Sequence, residues 1–183
     1  MKNISVSVDH VNRVEGHGNI VVNVKEGKVE ECKWEVVEAP RFFEAFVRGR
    51  SYLEVAHITS RICGICSIGH TMASVQGIEA AIGVRPSAQT LLLRKLAMHA
   101  ETLQSHVLHV GYLVVPDLLN VNSVIPLVGT HKEAVLLIVR LHRLANEMSD
   151  LICGRTTHPI NIAINGWTRL PTANELQGLR QRL

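Results

Sequence analysis

The chain has 183 residues, of which 46% are apolar and only 4% aromatic, and a formal net charge of +3. This length fits one domain with a sizeable core built mainly from Leu, Val, Ile and Ala. The basic residues are scattered with no run of five or six, which excludes a nucleic-acid surface, and no charge-free apolar run reaches the roughly 18–20 residues of a membrane span. In chain order, residues 4–8 alternate Ile-Ser-Val-Ser-Val and residues 19–25 alternate again. Glu26-Gly27-Lys28 is a turn and Val29–Val37 returns, so the opening segment predicts a small antiparallel sheet with a hairpin at Gly27. Pro40 closes it.

Short helices are expected over 41–48 and 51–58, split by Gly49-Arg50. A longer one is expected from about Cys66 to Ala81, with Gly83 and then Pro86 as its stop. Ser87 is a good N-cap for a helix from about 88 to 115, apolar nearly all round and so expected to be buried, which Pro116 ends. Thr130 with Glu133 three residues on reads as a capping box for a helix over 131–152, terminated by Gly154. Residues 155–172 read as loop or extended chain around His158-Pro159 and Asn165-Gly166. Leu176, Leu179 and Leu183 mark a last helix over 173–183. Two largely apolar helices have few partners to bury them, so the sequence is expected to be the front part of something larger.

Chemistry concentrates in Arg61-Ile-Cys63-Gly-Ile-Cys66-Ser-Ile-Gly-His70. Two thiolates separated by two residues can hold one soft metal ion or bridge two. The pair by itself also fits a redox couple or two buried cysteines; the redox reading lacks the strand–motif–helix setting it needs, and Cys32 and Cys153 are too isolated to complete a four-cysteine zinc site. The four cysteines form no disulfide framework for a chain this long, which fits a reducing compartment. His70 falls one helical turn past Cys66, within reach of its sulfur. Upstream, His10 to Gly18 form a dense polar cluster containing Arg13, Glu15 and His17, by themselves a solvated turn. Glu44 stands on a short aromatic helix, where its plain role is an ion pair with Arg41 or Arg48. The histidines of the long helices read as packing residues, and Cys32 and Cys153 as small buried hydrophobes.

Arg-Val-Glu-Gly-His at 13–17, Phe-Glu with Arg-Gly-Arg at 43–50, the Cys-x-x-Cys element at 61–70 and Gly-Arg-Thr-Thr-His-Pro at 154–159 together resemble the large subunit of nickel–iron hydrogenases, in order and spacing. The similarity covers effectively the whole chain and is strongest to the cytoplasmic, multimeric group that exchanges electrons with soluble carriers. No apolar signal core or twin arginine opens the sequence, in keeping with a cytoplasmic location. The resemblance implies an α+β, mostly helical fold: a small antiparallel sheet over 1–40, then long packed helices over 41–183, the whole forming the N-terminal part of a large-subunit domain. It implies a Ni–Fe centre whose iron carries CO and CN ligands, with Cys63 a terminal nickel thiolate and Cys66 a bridging one. His70 would donate to the Cys66 sulfur, and Glu15 would relay the proton released when H2 is split. Glu44 would help bind Mg, with Arg61, Arg13 and His17 as supporting polar groups.

The family's second Cys-x-x-Cys, which supplies two further thiolates, is missing from these residues. The expectation is therefore a fragment, or a split subunit completed by a separate chain, paired with an iron–sulfur small subunit and acting reversibly on H2. The alternative is a non-catalytic scaffold related to the quinone-module subunit of complex I.

Overall fold

A computed structural model describes residues 3–39 and 41–183; Pro40, expected to close the sheet, lies outside them. The backbone groups into two units, Met1–Ala45 and Phe46–Leu183. In the first, β1 (Ile4–Val8), β2 (Gly18–Lys25) and β3 (Lys28–Val36) form an antiparallel meander in the order β1-β2-β3. The tight turn places both Glu26 and Gly27 at positive φ (50° and 80°), the left-handed pair that matches the twist of a two-residue hairpin. Register sets Val6 opposite Val22, Val22 opposite Cys32 and Ile20 opposite Trp34, so period-two alternation collects the apolar residues on one face. Gly18 lies against the Trp34 indole, where a Cβ would come within 2.3 Å of the ring. Cys32 is exposed on this sheet, against expectation, because the alternation that pairs it with Val22 places it on a face open to solvent. A short helix, α1 (Arg41–Val47), follows.

The second unit is helical. It contains α2 (Tyr52–Thr59), a 3-10 turn (Ser60–Ile62), α3 (Ser67–Ile82), α4 (Ala88–Leu108), α5 (Val115–Leu118), α6 (Leu127–Thr130), α7 (Lys132–Cys153), a hairpin of β4 (Ile162–Ala163) and β5 (Gly166–Trp167), and α8 (Ala173–Arg180). Ile68, Met72 and Val75 recur at helical spacing on α3, Ala97 and Ala100 on α4, and Met148 and Ile152 on α7; these stripes meet in one core with Ile162 and Leu179. Full burial of side chains such as Ile68 and Ile152 stabilises the fold by about 2 kcal/mol each. Ser87 caps α4 as expected, accepting from the Thr90 amide. Gly83 and Gly154 end α3 and α7; Gly154 has φ +80°, and a Cβ there would meet Asn161 and Ile160 at 2.8 Å.

Three expectations give way. The helix from 88 is not buried all round, since Leu91 and Leu92 are exposed and only the stripe through Leu93, Ala97 and Ala100 faces the core. Pro116 does not end it. A π-helical turn, His109–Val114, lets the Val115 amide bond the Val110 carbonyl, and Pro116 then sits in the first turn of α5, where its missing N–H is not needed. The Thr130–Glu133 capping box does not form either, because Thr130 ends α6 and its hydroxyl pairs with the His131 ring at 2.9 Å.

Inside the second unit one buried ion pair locks three elements. Arg94 on α4 donates from two nitrogens to Glu79 on α3 at 2.7 and 2.5 Å and also to the Ala163 carbonyl at 3.2 Å. Glu79 accepts from the Asn165 amide at 2.6 Å, pinning the β4–β5 turn. The guanidinium beside it holds the Glu79 carboxyl below the usual carboxylate range.

Candidate metal centre

The Cys-x-x-Cys segment leaves the 3-10 turn in extended conformation at Cys63 (φ −148°, ψ 138°), turns through Gly64-Ile65 and enters α3 with Cys66 at the N-cap. The Cys66 amide points at the Cys63 sulfur at 3.3 Å. The Cα atoms are 5.5 Å apart and the two sulfurs pair as a disulfide, so both side chains converge on one point. Cys63 is buried and Cys66 half-buried. Reduced, the pair is a set of two soft donors, which fits nickel or iron; among the described residues no group of three or more His, Cys, Asp or Glu side chains completes a metal site. The residues thus fit a nickel–iron centre as part of its ligand set.

His70 lies one turn on, and the hydrogen bond that joins it to Cys66 runs between backbones, from the His70 amide to the Cys66 carbonyl at 3.2 Å. The loop around His158 supports the cysteine segment. The His158 amide donates to the Ser67 hydroxyl at 2.8 Å, and its Nδ1 meets the Ser60 carbonyl at 2.9 Å; since a carbonyl only accepts, Nδ1 carries the proton. His158 is held at φ 55°. The same loop is tied to α4 and α7 by Gln104, which donates to the Thr156 carbonyl and to Asn146 and accepts from Ser149. Arg61 is exposed and lines a cavity of about 250 Å³ with Asp150, Arg155, Thr156, Thr157 and His158.

Glu101, on α4, was not singled out by the sequence. It is 8% exposed, and its carboxylate accepts from the Ile68 amide at 2.7 Å and from the Gly69 amide at 3.1 Å. Burial pushes its pKa up, against the pull of those two amides and of His70. Burial, with Glu101 nearby, also pushes the Cys153 thiol up to about 12, which keeps that fully buried cysteine a neutral packing residue.

The remaining predicted site residues lie in the first unit. Arg13 (φ 63°), Glu15 and His17 stand on the loop between β1 and β2, which is closed by the Val11 amide on the Gly18 carbonyl. His17 Nδ1 pairs with Glu38 at 2.9 Å, both largely exposed. Glu44 takes its plain role, accepting from Arg41 at 3.4 Å one turn away on α1.

The nickel-dependent hydrogenase family matches residues 41–150, and a HoxL-like profile matches residues 5–39. The alpha subunit of sulfhydrogenase 2 from Pyrococcus furiosus is 36% identical over 176 residues, covering 96% of this chain and 43% of its own length. The beta subunit of the NAD-reducing hydrogenase HoxS from Cupriavidus necator is 33% identical, over 87% of this chain and 35% of its own length. In structure, an NAD+-reducing [NiFe]-hydrogenase in the H2-reduced state superposes with a TM-score of 0.82 at 29% identity, covering 98% of this chain and 42% of that one. The chain therefore spans about two fifths of the length of the relatives it matches. Its mostly helical fold with a small antiparallel sheet, its Cys63–Cys66 element at the start of α3 and these matches place it in one family: the chain belongs to the nickel-dependent hydrogenases, with the fold of their large subunits.

Proposed function

We propose that this chain is the N-terminal part of a large-subunit domain and supplies half of the thiolate set of a nickel–iron centre for reversible oxidation of H2. The observation that carries the reading is the convergence of Cys63 and Cys66 on one point at the start of α3. Cys63 would serve as a terminal nickel thiolate and Cys66 as a thiolate toward the iron, with CO and CN as the iron's further ligands; the remaining two thiolates of the set would be supplied by residues other than these. When bound, the centre supplies the metals on which H2 is split. Glu15 takes up the released proton and passes it on, since a carboxyl that can switch between protonated and ionised forms is suited to that relay. Glu44 would join an oxygen-rich Mg site, His70 and Arg61 would support the cysteine segment, and Arg13 and His17 would be supporting polar groups on their own loop. Electrons leave through an iron–sulfur small subunit to a soluble carrier, in the cytoplasm. No helix among the described residues is long and apolar enough to cross a membrane.

The test is the metal content of the complete subunit, produced with its maturation machinery and purified without oxygen. Near-stoichiometric nickel is expected, falling to background in Cys63→Ser or Cys66→Ser; full nickel in either variant would sink the ligand assignment. Glu15→Gln is expected to keep the metals and lose most hydrogen–deuterium exchange, and an unchanged exchange rate would remove the relay role. Absence of nickel from the unaltered subunit would favour the scaffold reading.

A further inference from the structure

A helix that begins at residue 67 leaves its first amides without intrahelical partners, and the N-cap side chain normally accepts from the second or third of them. Here the N-cap is Cys66, whose side chain makes no capping bond. Ser67 is not free to help, because its hydroxyl receives the His158 amide. The second and third amides, Ile68 and Gly69, are instead taken by Glu101, a carboxylate 33 residues away on α4. Glycine at 69 eases the approach, since a Cβ there would stand 3.0 Å from Glu101 Oε1, a tight contact. At 8% exposure, with two backbone donors, the carboxylate is a built fixture of the α3–α4 contact.

We propose that Glu101 is the positioning residue for Cys66. By capping α3 from a neighbouring helix, it relieves Cys66 of the capping duty its place would impose and fixes the direction in which the sulfur leaves the helix. The functional consequence rests on the reading that Cys66 is a metal ligand; the capping role does not. A carboxylate bonded to the Ile68 and Gly69 amides also offsets the partial positive charge of the helix start.

The experiment uses the reduced 183-residue chain, unaltered and as Glu101→Met and Glu101→Gln. Met keeps the volume without an acceptor, whereas Gln keeps one carbonyl oxygen at the same reach. Amide hydrogen exchange of Ile68 and Gly69 is expected to quicken about tenfold or more in the Met variant, with Val75 and Ala97 unchanged and the Gln variant in between. Cobalt(II) added alone should give a thiolate charge-transfer band that Cys66→Ser weakens, with its midpoint shifted about tenfold upward by Glu101→Met and partly restored in Glu101→Gln. Unchanged exchange at the two amides, or an unshifted cobalt midpoint where the band exists, overturns the proposal. No band in the unaltered chain would count against the metal-ligand reading instead, and the exchange rates would then decide Glu101 by themselves. Should the Met variant fail to fold, exchange in the Gln variant decides.

Discussion

At Arg94 and Glu79 a single side-chain pair ties α3, α4 and the β4–β5 turn together with both partners about 95% buried. Removing one partner of such a pair strands a charge in the interior, so Arg94→Met is expected to cost about 3–5 kcal/mol in urea unfolding at neutral pH, and the double variant Glu79→Met/Arg94→Met to recover much of it. The sign of the pH dependence follows from the carboxyl. Its folded-state pKa lies below the ordinary 4.5, so the pair's contribution is complete above that value and is lost as pH falls through the folded pKa. Unfolding midpoints of the unaltered chain should therefore fall on acidification below about 4.5, and that limb should be flatter in Arg94→Met; parallel limbs would show that the acid loss arises elsewhere. Neither this pair nor Glu101 was legible in the sequence. Local pattern shows a Glu or Arg on an apolar helix, but the partner that makes its burial tolerable is 15 or 33 residues away. The convergence of Cys63 and Cys66 could be read because both lie within one short stretch, whereas the link of His70 to Cys66 is made by backbone groups and not by the ring.

Among the elements, the helix that starts at Ser87 shows how far capping rules reach. Its start and the ends of α3 and α7 follow from Ser87, Gly83 and Gly154, each acting on its own turn. The π turn at 109–114 could not be read from local pattern, and it falls where α7 packs closely against the chain. Gly111 lies so close to α7 that a Cβ would fall 2.4 Å from Ile138 Cγ2. Gly111→Ala is expected to destabilise the chain by about 1–3 kcal/mol through overpacking, and adding Ile138→Ala should recover part of that loss; equal stabilities of the unaltered and Gly111→Ala chains would mean the helices part without strain. The failed box at Thr130 teaches the same lesson, since the motif was present and its threonine went to His131.

For the molecule as a whole, fold class and chain order were legible because sheet and helices differ in period, and alternation gives way to helical stripes after residue 40. Which stripes find partners was not. Leu118 and Ile125 are 78% and 75% exposed, with Leu92 and Val29 above 60%. Apolar side chains so open favour self-association of the chain in isolation. Sedimentation at tens of micromolar is expected to show oligomers, reduced in Leu118→Lys/Ile125→Lys with no change in helical signal; identical sedimentation of the two would place the sticky surface elsewhere.

The Arg94–Glu79 clamp has a consequence for heat. Hydration of charged groups carries strongly negative entropy, so the penalty for keeping this pair dry shrinks as temperature rises, while the attraction between the two ions persists. The junction of α3, α4 and the hairpin thus gains hold on warming, over a range where a contact made of apolar surface alone levels off. As the outer helices begin to fray, the scaffold behind the two cysteines would be among the last parts to let go.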